Sequence, residues 1–509
     1  MPARTLMVQG TASSVGKSIM VAALCRIFRK DGYRVAPFKS QNMALNSFVT
    51  REGGEIGRAQ AVQAEAAGIQ PTVDMNPILL KPEADHRSQV IVLGKVFKNL
   101  TAREYYEHTP TLVQTIEASL ARLRSAFDIV VIEGAGSPAE VNLREREIVN
   151  MRVAKMAQAP VILVGDIDRG GVFASIVGTM ELLEPEEREL VKGVIINKFR
   201  GDVSLLRPGL EILESKCRRP VLGVVPYLHD LRIAQEDSVY LDERPQKNEG
   251  ADLDIVVIHL PYTSNYDDFD PFENRGCRVR FISEARELGS PDLIILPGTK
   301  TTISDLKFLM QSGIAAAVVR LAHAGTPVVG ICGGFQMLGK RINDPSHVES
   351  REATVEGLGL LDVETTFADS KTTTQVRARV SAGSGLLAGL DGVEVRGYEI
   401  HMGRTGGGDR KAPFRVFETP SGGTDYADGC TSDDCLVLGS YIHGLFHNEA
   451  FTDGILGYLR RRRGLAGAAG VTQSVDEYDV LASAVRSNLN MPQLYGIAGL
   501  RPRSHNSQS

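Results

Sequence analysis

Three sets of residues in this chain have types and spacings that do chemistry. The first is the run Gly10-Thr11-Ala12-Ser13-Ser14-Val15-Gly16-Lys17-Ser18, which follows a short apolar segment and precedes a helix-like stretch from Ile19 to Arg29. Strand, glycine-containing loop and helix in that order cradle an anion on backbone N–H groups and the helix N-terminus. Gly10, Thr11, Val15 and Gly16 are expected to shape the phosphate cradle, with Lys17 on the terminal phosphates and Ser18 on Mg²⁺. Thr11 stands where the first glycine of GxxxxGK[ST] belongs, so the loop counted from Gly10 is one residue longer. The alternative is a tight turn that merely contains Gly-Lys-Ser.

The second set would complete a phosphoryl-transfer centre. Glu133, in "IVVIEGAGS", ends an apolar run and is placed to hold Mg²⁺ opposite Ser18, because Mg²⁺ is commonly bound by one or two carboxylates together with phosphate oxygens. A turn acid or helix cap is the plainer role for it. Lys39, in "FKSQNMALNS", follows another apolar run and could neutralise a transferring phosphoryl group. Asp166 and Asp168, in "VGDIDRGG", either bind water around a metal or substrate or are structural.

The third set is nucleophilic. In "TPVVGICGGFQMLGK" an apolar run meets Cys332, and Gly333-Gly334 opens a helix. Small flanking residues permit the strained turn of a nucleophile elbow, and the helix N-terminus favours the thiolate. The backbone N–H of Gly333 is a candidate oxyanion donor, with a second from Gly298 in "LPGTK". A thiol nucleophile needs a base, and His443 in "GSYIHGLFHN" is expected to be it. His401, in "GYEIHMGRT", is a second candidate, better suited to a structural or substrate contact. His443 and His447 have HxxxH spacing, but Gly444 between them and the lack of a third ligand make a metal site poor.

The elements that must position these residues follow a regular order. Val- and Ile-rich runs at 34–38, 127–134, 159–168, 193–199 and 219–226 alternate with helical patterns such as 111–126. Such runs suit buried parallel strands, and their βαβ order predicts a doubly wound sheet with ligands at the strands' carboxyl ends. A polar stretch at 241–254 marks a boundary, after which a second α/β series begins at 254–261, 278–282, 291–298 and 326–334. The predicted fold class is α/β, with two doubly wound domains. Residues 1–245 form a phosphate-binding domain, 252–455 a domain that carries the Cys332 nucleophile, and 456–509 a helical extension with a disordered end.

Composition limits the alternatives. The 509 residues exceed one core at roughly 150 residues per domain. A net charge of −5 gives no footprint for nucleic acid, and Arg460 to Arg463 reads as a solvated helix end. Six scattered cysteines without a CxxC pair argue against a disulfide framework or zinc site. With no signal peptide or spanning segment, a cytoplasmic protein is expected.

Taken together, "GTASSVGKS", "FKSQNM" and "IEGAG" resemble the dethiobiotin-synthetase-like P-loop enzymes. The resemblance implies ATP and Mg²⁺ used to activate a carboxylate as an acyl phosphate. The second half resembles the class I glutamine amidotransferases, which release ammonia from glutamine. It departs from them at Leu445, where a Glu two residues after the histidine is usual, so a Cys332–His443 dyad is implied. The cobyrinate amidases share that departure. "FKSQNMALNSFVT", "MNPILLKPEADHRSQVIVLGK" and "GDIDRGGVFASIVGT" are similar to their branch that amidates the b, d, e and g carboxylates of adenosylcobyrinic acid a,c-diamide. The alternatives are the branch acting at a and c, another glutamine-dependent carboxylate amidase, a ParA-like ATPase, or a glutaminase with a non-catalytic P-loop domain. The expected partners are glutamine and the corrinoid, with no nucleic acid and no membrane, and the oligomeric state is left open.

Overall fold

The computed structural model describes residues 2–83, 87–228, 233, 250–407, 411–465 and 476–501. Six parallel strands form the first sheet: β1 (Arg4–Gly10), β2 (Val35–Phe38), β3 (Ile129–Glu133), β4 (Val161–Asp166), β5 (Val191–Phe199) and β6 (Val221–Pro226), in the order β6-β5-β4-β1-β3-β2. The central strands are buried almost throughout, as near-continuous apolar runs require when both faces are covered. Helix α1 (Lys17–Lys30) leaves the loop after β1 and buries Met20, Leu24, Ile27 and Phe28 against the sheet. Helix α2 (Arg58–Ala67) packs beside it.

Between β2 and β3 lies an insertion for which the sequence analysis made no prediction. It contains a hairpin (Ser47–Val49 with Glu55–Gly57) and a four-stranded sheet of Gln41–Met43, Ile78–Pro82, Arg87–Val92 and Lys95–Thr101. These strands are short and mixed in polarity, so no single periodicity marks them.

The second sheet contains β7 (Asp254–Ile258), β8 (Arg278–Ile282), β9 (Leu293–Leu296), β10 (Val328–Ile331), β11 (Cys430–Thr431) and β12 (Val437–Ser440), in the order β8-β7-β9-β10-β12-β11. All pairings are parallel except that of the edge strand β11. Two long antiparallel strands, Glu364–Val380 and Glu394–Gly406, anchor a further sheet beside it. The two α/β domains are joined at ion pairs, Lys371 with the buried Glu55 and Lys300 with the half-buried Glu83. Among the described residues no helix is long and apolar enough to cross a membrane.

The polar boundary expected at 241–254 lies mostly outside the described residues, as does the end of the tail beyond 501. Helix Glu449–Arg462 runs across position 456 and packs Phe451, Ile455 and Leu459 into the second core. The helices Glu477–Asn488 and Met491–Ala498 instead return to the first domain, where Leu481, Val485, Leu494 and Tyr495 join the core under α1. One expectation is corrected. Arg460 is not a solvated helix end: it is 5% exposed and paired with Asp252, while Arg463 pairs with Asp292 at 3.2 Å. Arg461 to Arg463 are exposed, as expected of a helix end, while Arg460, Arg462 and Arg463 also tie the helix to the segments leading into β7, β10 and β9.

Candidate active sites

The residues of the first site stand at the carboxyl ends of adjacent parallel strands: Gly10 on β1, Glu133 on β3, and Lys39 just past β2. The loop after Gly10 turns through left-handed residues, with φ 57° at Ser14 and 100° at Gly16. Lys17 Nζ donates to Ala12 O at 2.8 Å and Gly136 O at 3.1 Å, so the ammonium is curled back over the loop mouth. Ser18 Oγ and Lys39 Nζ both donate to Glu133 Oε1, at 2.8 and 2.9 Å, and Gln63 Nε2 of α2 donates to Oε2. Burial by itself would push the Glu133 carboxyl up. The Lys39 charge and the bonds from Gln63, Lys39 and Ser18 outweigh it and hold the group below the ordinary carboxylate value.

These groups open onto a cavity of about 980 Å³ lined by Ser13, Ser14, Gly16, Lys17, Ser18, Lys39 and Glu133 among others. Gly10, Thr11 and Val15 do not line it. The Thr11 amide is spent on Val164 O, extending the β1–β4 ladder, and Val15 O accepts from Asn197 Nδ2. Asp166 and Asp168 are engaged by cations at the same rim, Asp166 by Lys198 at 2.8 Å and Asp168 by Arg200 at 2.7 Å. Among the described residues no group of three or more His, Cys, Asp or Glu side chains could hold a metal. Glu133 and Ser18 offer one carboxylate and one hydroxyl, a hard-oxygen set that suits Mg²⁺ only when phosphate oxygens and water complete its shell.

The second site is built the same way on the second sheet. Cys332 follows β10 directly and adopts φ 51°, ψ −106°, a strained conformation costing about 1–3 kcal/mol that surrounding structure must enforce. Glycine makes the close turn possible: a Cβ at Gly334 would lie 2.0 Å from Leu296 O. The Cys332 amide donates to Ser440 O of the neighbouring β12, and His443 follows three residues after that strand. Adjacent parallel strands in register, Ile331 beside Ser440, thus bring Cys332 and His443 together across a gap of 111 residues.

His443 is 1% exposed, and its Nδ1 bonds Asp268 Oδ2 at 2.7 Å. The other carboxylate oxygen, Oδ1, accepts the Gly444 amide at 2.8 Å. Asp268 lies in the helical turn Tyr266–Phe269 that follows β7. Burial opposes a charge on the imidazole, but the Asp268 charge and hydrogen bond, together with Cys332, push His443 up to about 10. The ring is also stacked on Tyr398, with centroids 5.3 Å apart.

Gly298, two residues past β9, lies so close to His443 that a Cβ there would meet the ring Cε1 at 2.8 Å. A Cβ at Gly333 would lie 3.1 Å from the Thr299 amide nitrogen, so the 298–299 backbone and the start of the helix after Cys332 share one pocket. His401 is committed elsewhere: Nδ1 bonds Gly403 O at 2.8 Å and the ring stacks on Tyr441. His447 bonds Asp267 O through Nε2. Sequence reasoning missed Asp268 and Gln63. An acid 175 positions before His443 carries no local spacing signal, and Gln63 looks like any polar residue on a helix.

A sequence profile described as the CobQ/CobB/MinD/ParA nucleotide binding domain matches residues 6–239, and one described as the CobB/CobQ-like glutamine amidotransferase domain matches 254–451. A protein of Dehalococcoides mccartyi named cobyric acid synthase is 59% identical over 496 residues, covering 97% of this chain and 99% of its own. Proteins of the same name from Sorangium cellulosum and Pelotomaculum thermopropionicum are 55% and 54% identical, covering 99% and 98% of this chain and 100% and 97% of theirs.

Proposed function

The chain belongs to the cobyric acid synthase family, and from that membership and its two sites we propose that it amidates the b, d, e and g carboxylates of adenosylcobyrinic acid a,c-diamide, with ATP and glutamine-derived ammonia, in cytoplasmic cobalamin biosynthesis. It is a glutamine-dependent ligase with a nucleotide-binding half and an amidotransferase half. In this proposal residues 1–245 are the synthase domain, 252–455 the glutaminase domain and 456–509 a C-terminal extension.

At the glutaminase site the Cys332 thiolate attacks the glutamine side-chain carbonyl. The oxyanion is taken up by the backbone amides around Gly333 and Gly298. His443 gives its proton to the departing ammonia, then takes one from the water that hydrolyses the thioester. Asp268 keeps Nδ1 protonated, because a carboxylate can only accept, and so aims Nε2 at the reacting atoms.

At the synthase site the acceptor carboxylate attacks the terminal phosphorus of ATP, the bond to the bridging oxygen breaks with ADP as the leaving group, and the carboxylate becomes an acyl phosphate. Ammonia then displaces inorganic phosphate to leave the amide. Lys17 and Lys39 balance the charge on the transferring group. Ser18 and Glu133 would hold Mg²⁺, which supplies further neutralisation of the phosphates. The observation that carries the proposal is the Cys332–His443–Asp268 arrangement in one chain with a Lys17–Ser18–Glu133 phosphate centre. Mass spectrometry of a reaction containing the corrinoid diamide, ATP, Mg²⁺ and glutamine should show four successive amidations. Amidation confined to the a and c positions of the unamidated corrinoid would overturn it in favour of the other branch.

A further inference from the structure

The glutaminase site is not enclosed by its own domain. The hairpin and α2 of the synthase half lie against it through hydrogen bonds: Ser47 N donates to Asn265 Oδ1, Tyr266 N to Asn46 Oδ1, and Tyr398 OH to Ser47 O. At the first residue of α2, Arg58 Nε forms a buried ion pair with Asp267 Oδ2 at 2.9 Å. The Arg58 guanidinium also stands 5.4 Å above the Phe48 ring. Phe48 packs on Tyr398, and Tyr398 stacks on His443. Arg58, Asp267, Asp268, His443, Tyr398 and Phe48 therefore close a ring around the base.

Asp267 and Asp268 are consecutive buried carboxylates, 3% and 2% exposed. Two such charges repel, and a buried carboxylate without a cation is costly. Asp268 is met by the imidazole, and Asp267 by Arg58 from the other domain. Arg58 has one further acidic neighbour, Glu65 on its own helix at 3.6 Å. We infer that Arg58 is a positioning residue for glutamine hydrolysis, contributed by the synthase half: by neutralising Asp267 it holds the 265–269 turn where Asp268 meets His443. The inference rests on Cys332 and His443 being the glutaminase pair. It makes glutamine hydrolysis depend on a helix that, one turn further on, also bonds Glu133 through Gln63.

The test uses the full-length chain as wild type, Arg58→Met, Arg58→Lys, Asp267→Asn and the double variant Arg58→Met/Asp267→Asn. Glutamine hydrolysis is measured as kcat and KM across pH, and the rate of Cys332 alkylation by iodoacetamide is followed by peptide mass spectrometry across the same range. The titratable and charged groups around His443 are Asp268, Cys332 and Tyr398, with Asp267 and Arg58 behind them. Arg58→Met should lower kcat by about tenfold to a hundredfold, short of the ~10²–10⁴ that losing the base itself costs. KM for glutamine should change little, and the alkylation profile should move to higher pH. Arg58→Lys, which keeps the charge, and the double variant, which no longer needs it, should each recover most of the loss. Wild-type kcat and profile in Arg58→Met would overturn the inference, as would a loss that neither Arg58→Lys nor the double variant repairs. Should Arg58→Met not fold, Arg58→Gln, which keeps a polar side chain without the charge, decides. Slower hydrolysis with a displaced profile supports the inference, and wild-type behaviour overturns it. Failure of the underlying assignment looks different: Cys332→Ala would then hydrolyse glutamine as fast as wild type.

Discussion

Asp268 Oδ2 lies 2.7 Å from His443 Nδ1, so the imidazole is oriented by an acid 175 positions earlier in the chain rather than by a neighbour two residues on. That position is Leu445, which is buried. Cys332, His443, Asp268 and the Gly298 turn each follow a different parallel strand of one sheet, which is where such sheets place ligands.

Asp268→Asn should slow glutamine hydrolysis by at least about tenfold while ammonia still supports amidation, because the imidazole loses both its orientation and its counter-charge. Stability should report the same pair. The folded His443 value of about 10 lies above the ordinary 6.5. Its contribution is therefore complete below about 6.5 and disappears as pH rises through about 10. Calorimetry should find the gap in melting temperature between wild type and variant widest near pH 6 and closing toward pH 10. A gap that widened with pH would refute the charged pair.

Cys332→Ala should abolish glutamine-dependent amidation and leave ammonia-dependent amidation working, since ammonia bypasses the thiol. Product amide measured with each nitrogen source separates the two. Equal loss of both would mean that Cys332 is structural or that the halves cannot act separately.

His443→Ala should reproduce that selective loss, with glutamine hydrolysis down about 10²- to 10⁴-fold. His401→Ala should not, because the His401 ring is occupied by Gly403 O and Tyr441. Glutaminase assays on both variants decide the assignment; the opposite pattern would transfer the base to His401.

Gly298→Ala is a finer probe. Its Cβ would meet His443 Cε1 at 2.8 Å, inside contact distance, so the ring must shift from its place between Asp268 and Tyr398. Glutamine turnover should fall at least about tenfold with ammonia-dependent turnover retained. Undiminished glutamine hydrolysis would show that the ring has room the geometry denies it.

Lys17→Ala and Glu133→Gln should remove amidation from both nitrogen sources. The first takes a cation from the phosphates. The second removes the charge that Ser18, Lys39 and Gln63 surround. Glutamine hydrolysis measured alone should survive better than amidation. Normal ammonia-dependent turnover in either variant would rule out that residue's role.

The sequence by itself determined the strands and the groups at their ends. Continuous Val and Ile runs between helical patterns suit parallel strands buried on both faces, and Lys17, Ser18, Glu133, Cys332 and His443 were legible because each sits at or beside the end of such a run or in the loop that follows it. Tertiary structure alone decided what those groups touch. Asp268 meets His443 because β7 and β12 lie in one sheet, and Arg58 meets Asp267 because an insertion after β2 reaches the other domain. The Thr11 amide continues a strand ladder instead of facing the cavity, and Arg460 is buried against Asp252 instead of solvated. A side chain's type and its local periodicity are carried by a few neighbouring residues. Its partner is chosen by which distant segments pack beside it, and spacing along the chain holds no record of that choice.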